Sequence, residues 1–85
     1  MPARRSTAPL EQQARWQASR TRVGAAIRAH RVAAGLTQEA LALESGLSRN
    51  ALIEVEHGRR GLMFERLDDL ATALGVEAAD LLRGP

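Results

Sequence analysis

The sequence predicts a small all-α domain built from five helices. Its 85 residues suffice for one hydrophobic core and are too few for two. No segment alternates apolar and polar residues with a period of two, which would be the pattern of a half-buried strand. Ala and Leu dominate the composition, and glycines follow stretches of apolar residues with helical spacing, as expected where glycine ends a helix.

The composition excludes several classes of protein. The chain has no Cys, which excludes a disulfide framework and a zinc site with thiolate ligands. His30 and His57 are too few and too far apart to suggest a metal site, and we expect no cofactor. No apolar run approaches the ~20 residues of a membrane span, and the N-terminus lacks the apolar stretch of a secretory signal. We therefore expect a soluble, cytoplasmic protein.

Charge is distributed unevenly along the chain. All 12 basic residues are Arg, and they face 10 acids for a net charge of +2. Residues 1–35 carry seven Arg and one acid, whereas residues 63–85 carry two Arg and five acids. A basic segment beside an acidic one favours a polyanionic partner for the first, although a solubilising tail would have the same composition.

The N-terminal region predicts an arm followed by a helix. Residues 1–9 are rich in Pro, Arg and small residues, as in a mobile arm. The helix is predicted to begin near Leu10 and end at Ala34, with Gly35 in the position that follows a helix C-cap. We place a basic arm and helical extension at residues 1–22 and the main domain at residues 23–85.

Two features of this helix affect its continuity. Trp16 lies on the same helical face as Val23 and Ile27, which favours one long helix. A break near residues 19–21 stays open as the alternative, and Gly24, a poor helix former, also counts against a continuous helix.

Two short helices follow, each preceded by a capping residue. Thr37 is a competent N-cap for a helix over residues 38–44, and Ser48 is one for a helix over residues 48–56. Gly46 permits the positive φ that turns the first helix sharply onto the second. This arrangement is that of a helix-turn-helix, whose second helix enters the DNA major groove, although an ordinary αα-corner has the same spacing.

A fourth and a fifth helix complete the predicted fold. The fourth has an apolar stripe of period 3.6, formed by Phe64, Leu67, Leu70, Ala71 and Leu74. The fifth is short and lies within residues 76–85. We predict a core that includes Leu41, Leu52, Val55, Leu67, Leu70 and Leu74.

Four motifs carry a resemblance to a known family. Gly35-Leu-Thr-Gln-Glu-Ala-Leu-Ala is followed by Ser45-Gly-Leu-Ser, then by Leu52-x-x-Val-Glu-x-Gly and Leu67-x-x-Leu-Ala-x-Ala-Leu-Gly-Val. As a set they closely resemble the phage repressor/Cro-type (XRE) family over residues 23–82. The resemblance implies a five-helix, repressor-like regulator of transcription that binds double-stranded operator DNA as a two-fold homodimer. Similar domains occur in phage repressors, restriction-modification controller proteins and antitoxins.

The start of the second helix in the motif is expected to contact bases. Arg49 is suited to guanine and Asn50 to adenine, while Ala51 is small enough to touch a thymine methyl group. The resemblance implies that Gln38 donates to a phosphate, and the loop with Arg59 and Arg60 borders the same helix. The full predicted DNA-binding set is Thr37, Gln38, Ser48, Arg49, Asn50, Ala51, Glu54, Arg59 and Arg60.

Two acidic residues of this helix have different expected roles. Glu54 lies on the predicted groove face, where three roles stay open: accepting from cytosine N4, pairing with Arg49, or facing away from DNA. The resemblance implies that Glu56 forms a partly buried, purely structural ion pair with Arg31.

A homodimer requires an exposed apolar surface. Leu81 and Leu82 are adjacent, so their side chains point about 100° apart on a helix and a short helix cannot easily hide both. We expect an interface that includes Leu62, Met63, Val76, Leu81 and Leu82. The alternative is that Leu81 closes the core, Leu82 is an ordinary exposed leucine, and the helix around Trp16 forms the dimer.

An enzyme is not expected. The chain shows no nucleophile motif and no glycine-rich phosphate loop, and it is too small for a substrate pocket of ~300 Å³. The alternative function is an antitoxin or protein-binding helical module, with a protein partner such as a toxin, that also regulates its own operon.

Overall fold

Over the residues that the structure describes, the chain folds as five α-helices. A computed structural model describes residues 8–85, and no strand occurs in that range. The helices are α1 (Ala8–Ala33), α2 (Gln38–Ser45), α3 (Arg49–Glu56), α4 (Phe64–Leu74) and α5 (Ala78–Arg83), which confirms the predicted all-α class. No described helix is both long enough and apolar enough to cross a membrane. The same residues contain no cluster of acidic, His or Cys side chains suited to a metal ion.

The core lies where all five helices meet. Each helix contributes one large, fully buried side chain, and these are Ile27, Leu41, Leu52, Leu70 and Leu81. α1 packs against α5 and α3, while α4 packs against α2 and α5. Of the predicted core residues, Leu41, Leu52, Val55, Leu67 and Leu70 are buried. Leu74 is only partly buried and packs at the edge of the core.

The first helix is longer and more regular than the sequence predicts. It runs without interruption from Ala8 to Ala33, so the break left open near residues 19–21 does not occur. Ala8 and Pro9, predicted to belong to the arm, lie in the first turn, where proline removes no intrahelical hydrogen bond. The rest of that predicted arm, residues 1–7, lies outside the described residues. The first turns of α1 project from the packed helices, leaving the side chain of Leu10 exposed.

The predicted caps are confirmed. Gly35 has a φ of 73° and donates its N–H to the carbonyl of Val32, while Leu36 donates to that of Arg31, the hydrogen-bond pair of a Schellman motif. The hydroxyl of Thr37 accepts from the backbone of residue 40 at 3.0 Å, and that of Ser48 accepts from residue 51 at 3.0 Å.

Phe64 corrects the predicted apolar stripe. It is 77% exposed, whereas Leu67 and Leu70 on the same helix are buried. Phe64 is the first residue of α4, and side chains on a helix point towards its N-terminus. Its ring therefore lies beyond the end of the helix instead of against the core.

Candidate nucleic-acid interface

A tight turn joins α2 to α3. Gly46 has a φ of 81°, which costs an L side chain strain that glycine avoids. Leu47, which follows it, is buried and anchors the turn to the core. From α4, Arg66 donates to the Gly46 carbonyl at 2.8 Å and to Asp69 at 3.0 Å. The angle between the two helices is thus fixed by backbone conformation, burial and a side chain from a third helix.

The first turn of α3 presents its side chains to solvent. Ser48 uses its hydroxyl for the cap, and Arg49 and Asn50 directly after it are exposed. Within the described chain neither Arg49 nor Asn50 has a side-chain hydrogen bond, so their donors and acceptors are available to a ligand. Ala51 is half-buried beside Ser48 in a shallow recess that also touches Arg60.

The start of α2 adds a second set of donors. The Gln38 amide donates to the carboxylate of Glu56 at 3.0 Å. An amide nitrogen carries two hydrogens, so the second remains for the phosphate contact that the sequence predicts. Thr37 is exposed and caps the helix, whose backbone N–H groups favour an anion.

The loop after α3 places two arginines near the same surface. Arg59 lies 3.6 Å from Glu54, so the carboxylate of Glu54 has Arg59 as its neighbour and not Arg49, the partner considered from the sequence. Because both side chains are about half exposed, this pair contributes little to stability. Arg60 is exposed and borders the recess beside Ala51.

A buried ion pair holds α3 against α1. Arg31 donates from Nε to Glu56 at 2.7 Å and from Nη2 at 3.1 Å, and its third nitrogen donates to the Leu36 carbonyl at 2.9 Å. The Glu56 side chain is 1% exposed and that of Arg31 12%. Since Gln38 reaches the same carboxylate, one group ties together the end of α1, the start of α2 and the end of α3.

The residues predicted for a dimer interface do not form one set. Leu81 is fully buried because α5 packs on α1, so its assignment to an interface is wrong. Leu82 is 52% exposed and Met63 67%, whereas Leu62 and Val76 are partly buried against the core.

One apolar groove is lined by residues from both of the surfaces considered for dimerisation, the helix around Trp16 and the set that includes Leu62 and Leu82. Trp16, which is 52% exposed, lines this groove together with Leu62 and Leu82. Val23 of α1 and Arg60 and Gly61 of the loop after α3 also line it. We call these residues the Trp16 groove.

The sequence did not indicate two side chains that hold the α2–α3 turn and the loop after α3 in place. Arg66 holds the turn between α2 and α3, and Gln17 donates to the Gly58 carbonyl at 2.9 Å. Both act on backbone carbonyls more than 15 residues away, and no local pattern marks such a contact.

The chain matches known proteins over the region just described. The helix-turn-helix family HTH_3 matches residues 27–81. A curated relative, control protein C.BamHI of Bacillus amyloliquefaciens, is 36% identical over 47 residues, which are 55% of this chain and 58% of that protein. The chain thus spans little more than half the length of that relative.

Solved structures show the same similarity in three dimensions. The restriction-modification controller protein C.AhdI of Aeromonas hydrophila is 40% identical with a TM-score of 0.74, over 76% of this chain and 94% of that one. The clp gene regulator ClgR of Corynebacterium glutamicum is 39% identical with a TM-score of 0.73, over 75% and 68% of the two chains.

Proposed function

Because this chain belongs to the helix-turn-helix family HTH_3, we propose that it is a transcriptional regulator that places α3 in the major groove of double-stranded DNA. One observation carries the proposal. The capped N-terminus of α3 exposes Arg49 and Asn50 with no internal hydrogen bonds among the described residues, and Arg60 of the following loop borders the recess beside Ser48 and Ala51. That is the arrangement in which a helix-turn-helix contacts base edges and flanking phosphates.

Base contacts are assigned to the first turn of α3. Arg49 offers a two-pronged donor for guanine O6 and N7, and Asn50 offers the donor and acceptor that adenine requires. Ala51 is half-buried at the same surface and is assigned to a thymine methyl group. These contacts would set the sequence preference.

Phosphate contacts are assigned to the residues that flank α3. They are Thr37, Gln38, Ser48, Arg59 and Arg60, at the two helix N-termini and in the following loop. Such contacts position the protein without reading sequence. Glu54 keeps its carboxylate near Arg59, which offsets the repulsion that a lone carboxylate would exert on phosphate.

We further propose that the protein binds as a homodimer to a palindromic operator. A single helix in the groove reads only a few base pairs, too few for a unique genomic site. A two-fold dimer doubles the contacts and separates the half-sites by about one helical turn, 34–36 Å. The Trp16 groove is our candidate interface, with a second copy as its occupant, because it is the surface where Trp16, Leu62 and Leu82 meet.

The names of the relatives support a role in the control of gene expression. C.BamHI is named a control protein and C.AhdI a restriction-modification controller protein, and both align with this chain at 36–40% identity. We propose that this protein acts by binding DNA near the genes it controls, including its own, and that it works in the cytoplasm.

Footprinting tests the proposal. The wild-type protein should protect a two-fold symmetric site in the DNA upstream of its own gene, and Arg49→Ala should lose protection there while retaining weak binding to random DNA. Leu43→Ala, at an exposed position of α2, is the control for a substitution outside the proposed interface. The proposal is wrong if wild-type protein protects no sequence, or if Arg49→Ala protects the same site with equal affinity.

A further inference from the structure

The N-terminal half of α1 lies against the arginine loop. Gln17 donates from its amide to the Gly58 carbonyl at 2.9 Å and to the Thr21 hydroxyl at 3.1 Å. Its amide oxygen accepts from Arg20 at 3.0 Å. Both donor hydrogens and the acceptor of Gln17 are therefore engaged, which fixes the side chain in one orientation.

Gly58 lies in close contact with α1. It is buried and has a φ of 74°. A Cβ atom there would lie 3.1 Å from the Thr21 α-carbon and 3.1 Å from its hydroxyl oxygen. The loop and the helix therefore lie so close that a methyl group at position 58 would require Thr21 or the loop to shift by a few tenths of an ångström, in addition to the strain of the positive φ.

The loop that this contact fixes carries Arg59 and Arg60. Gly58 and Arg59 donate to the carbonyls of Val55 and Glu54 at 3.0 and 2.9 Å, which joins the loop to the end of α3. Gln17 holds the same segment from the opposite side. The segment is thus clamped between the end of α3 and a part of α1 that lies outside the matched family region at residues 27–81.

We infer that the N-terminal extension of α1 sets DNA affinity by holding the Gly58–Gly61 loop in place, with Gln17 and Thr21 as positioning residues that do not touch DNA. The inference rests on the proposed function, which assigns Arg59 and Arg60 to phosphates. A free loop would have to lose conformational freedom on binding, whereas a held loop has already lost it.

The test compares Gln17→Met with Gln13→Met. The first removes the donors at nearly constant size. The second makes the same change one turn earlier, at an exposed position. With a random-sequence DNA duplex at low salt, Gln17→Met should bind about three- to tenfold more weakly, and Gln13→Met should bind like wild type. In an Arg59→Ala/Arg60→Ala background, which lacks both loop arginines, Gln17→Met should have no further effect.

A second pair of variants reaches the contact from the loop. Gly58→Ala should weaken DNA binding as Gln17→Met does. Gly75→Ala is its match, because Gly75 has a φ of 73° and no atom within 4 Å of an added Cβ, so it carries the backbone strain without the collision. Hydrogen exchange should accelerate at the Gly58 and Arg59 amides in Gln17→Met, without DNA present.

The possible outcomes distinguish a failure of the proposed function from a failure of the positioning role of α1. If wild-type protein does not bind DNA, the proposed function is wrong. If wild type binds and Gln17→Met binds equally well, or loses the same affinity with and without the two loop arginines, the positioning role of α1 is wrong while the proposed function stands. Unchanged exchange at Gly58 and Arg59 would equally overturn that role.

Discussion

Gly24 faces Val55 so closely that a Cβ atom on Gly24 would lie 2.2 Å from the Val55 carbonyl oxygen. The same atom would lie 3.0 Å from the carbonyl oxygen of Glu56. α1 and α3 therefore touch backbone to backbone at this point, close to the ion pair between Arg31 and Glu56. Gly24, which is a poor helix former, is what allows α3 to pack this closely against α1.

Gly24→Ala should destabilise the fold. In an exposed helix, alanine would be favoured over glycine by about 1 kcal/mol, but here the methyl group must push two backbones apart, which costs typically about 1–3 kcal/mol or more. Urea unfolding measures the change. Ala14→Gly, at an exposed position of the same helix, gives the effect of propensity alone. A Gly24→Ala variant as stable as wild type would show that α1 and α3 are not in contact there.

The Arg31–Glu56 pair should respond asymmetrically to substitution. Arg31→Ala leaves the Glu56 carboxylate, 1% exposed, with Gln38 as its remaining partner, and should cost about 3–5 kcal/mol. Glu56→Gln removes the charge but keeps an acceptor, and Arg31 retains the Leu36 carbonyl, so about 1–3 kcal/mol is expected. Chemical denaturation of the two variants checks the order. Equal losses, or a greater loss in Glu56→Gln, would contradict it.

The parts of the fold that sequence predicts are local. The caps at Thr37 and Ser48 and the turn at Gly35 follow from residue type and from neighbours within five positions, because a cap bonds to its own helix. The apolar positions of α2 and α3 follow from helical periodicity in the same way. The contact between Arg31 and Glu56 is not local, because the two residues lie 25 positions apart. Only the family resemblance predicts it.

The features that the sequence could not predict depend on where each helix begins and on how the helices pack against one another. Phe64 and Leu67 belong to one stripe, yet only Leu67 reaches the core, because α4 begins at Phe64. Leu81 and Leu82 are equally apolar, and the packing of α5 on α1 decides which one is buried. The contact between Gln17 and Gly58 joins two segments 41 positions apart through a backbone carbonyl, which has no sequence signature.

Leu52→Ala should show the cost of opening the core. Leu52 is fully buried in α3, and replacing it with alanine should destabilise the protein by about 2–5 kcal/mol. Leu43→Ala makes the same chemical change at a side chain that is 84% exposed and should stay within about 0.5 kcal/mol of wild type. Thermal unfolding of both variants measures the difference. Similar unfolding free energies for both would place Leu52 outside the core.

Arg49 and Arg60 should affect DNA binding in different ways. Arg49→Ala should cost about 1–3 kcal/mol on the specific site and relax the preference at one base position. Arg60→Ala should weaken binding to all sequences alike and lower the slope of log K against log salt by about one unit. Titrations on specific and random duplexes at several salt concentrations separate the two. A loss of sequence preference in Arg60→Ala would reverse the assignments.

The dimer prediction concerns Leu82 and Trp16, which line the same groove. If a second copy occupies that groove, a charge introduced by Leu82→Glu and the loss of the indole in Trp16→Ala should each remove apolar contacts from one interface. Both variants should therefore sediment as monomers at micromolar concentration, where wild type sediments as a dimer. Leu43→Glu places the same charge on an exposed leucine of α2 and should remain dimeric. A dimer that survives Leu82→Glu and dissociates in Trp16→Ala would move the interface onto the projecting part of α1. A dimer that survives both would exclude the groove and leave the exposed Met63 beside α4 as the next surface to test.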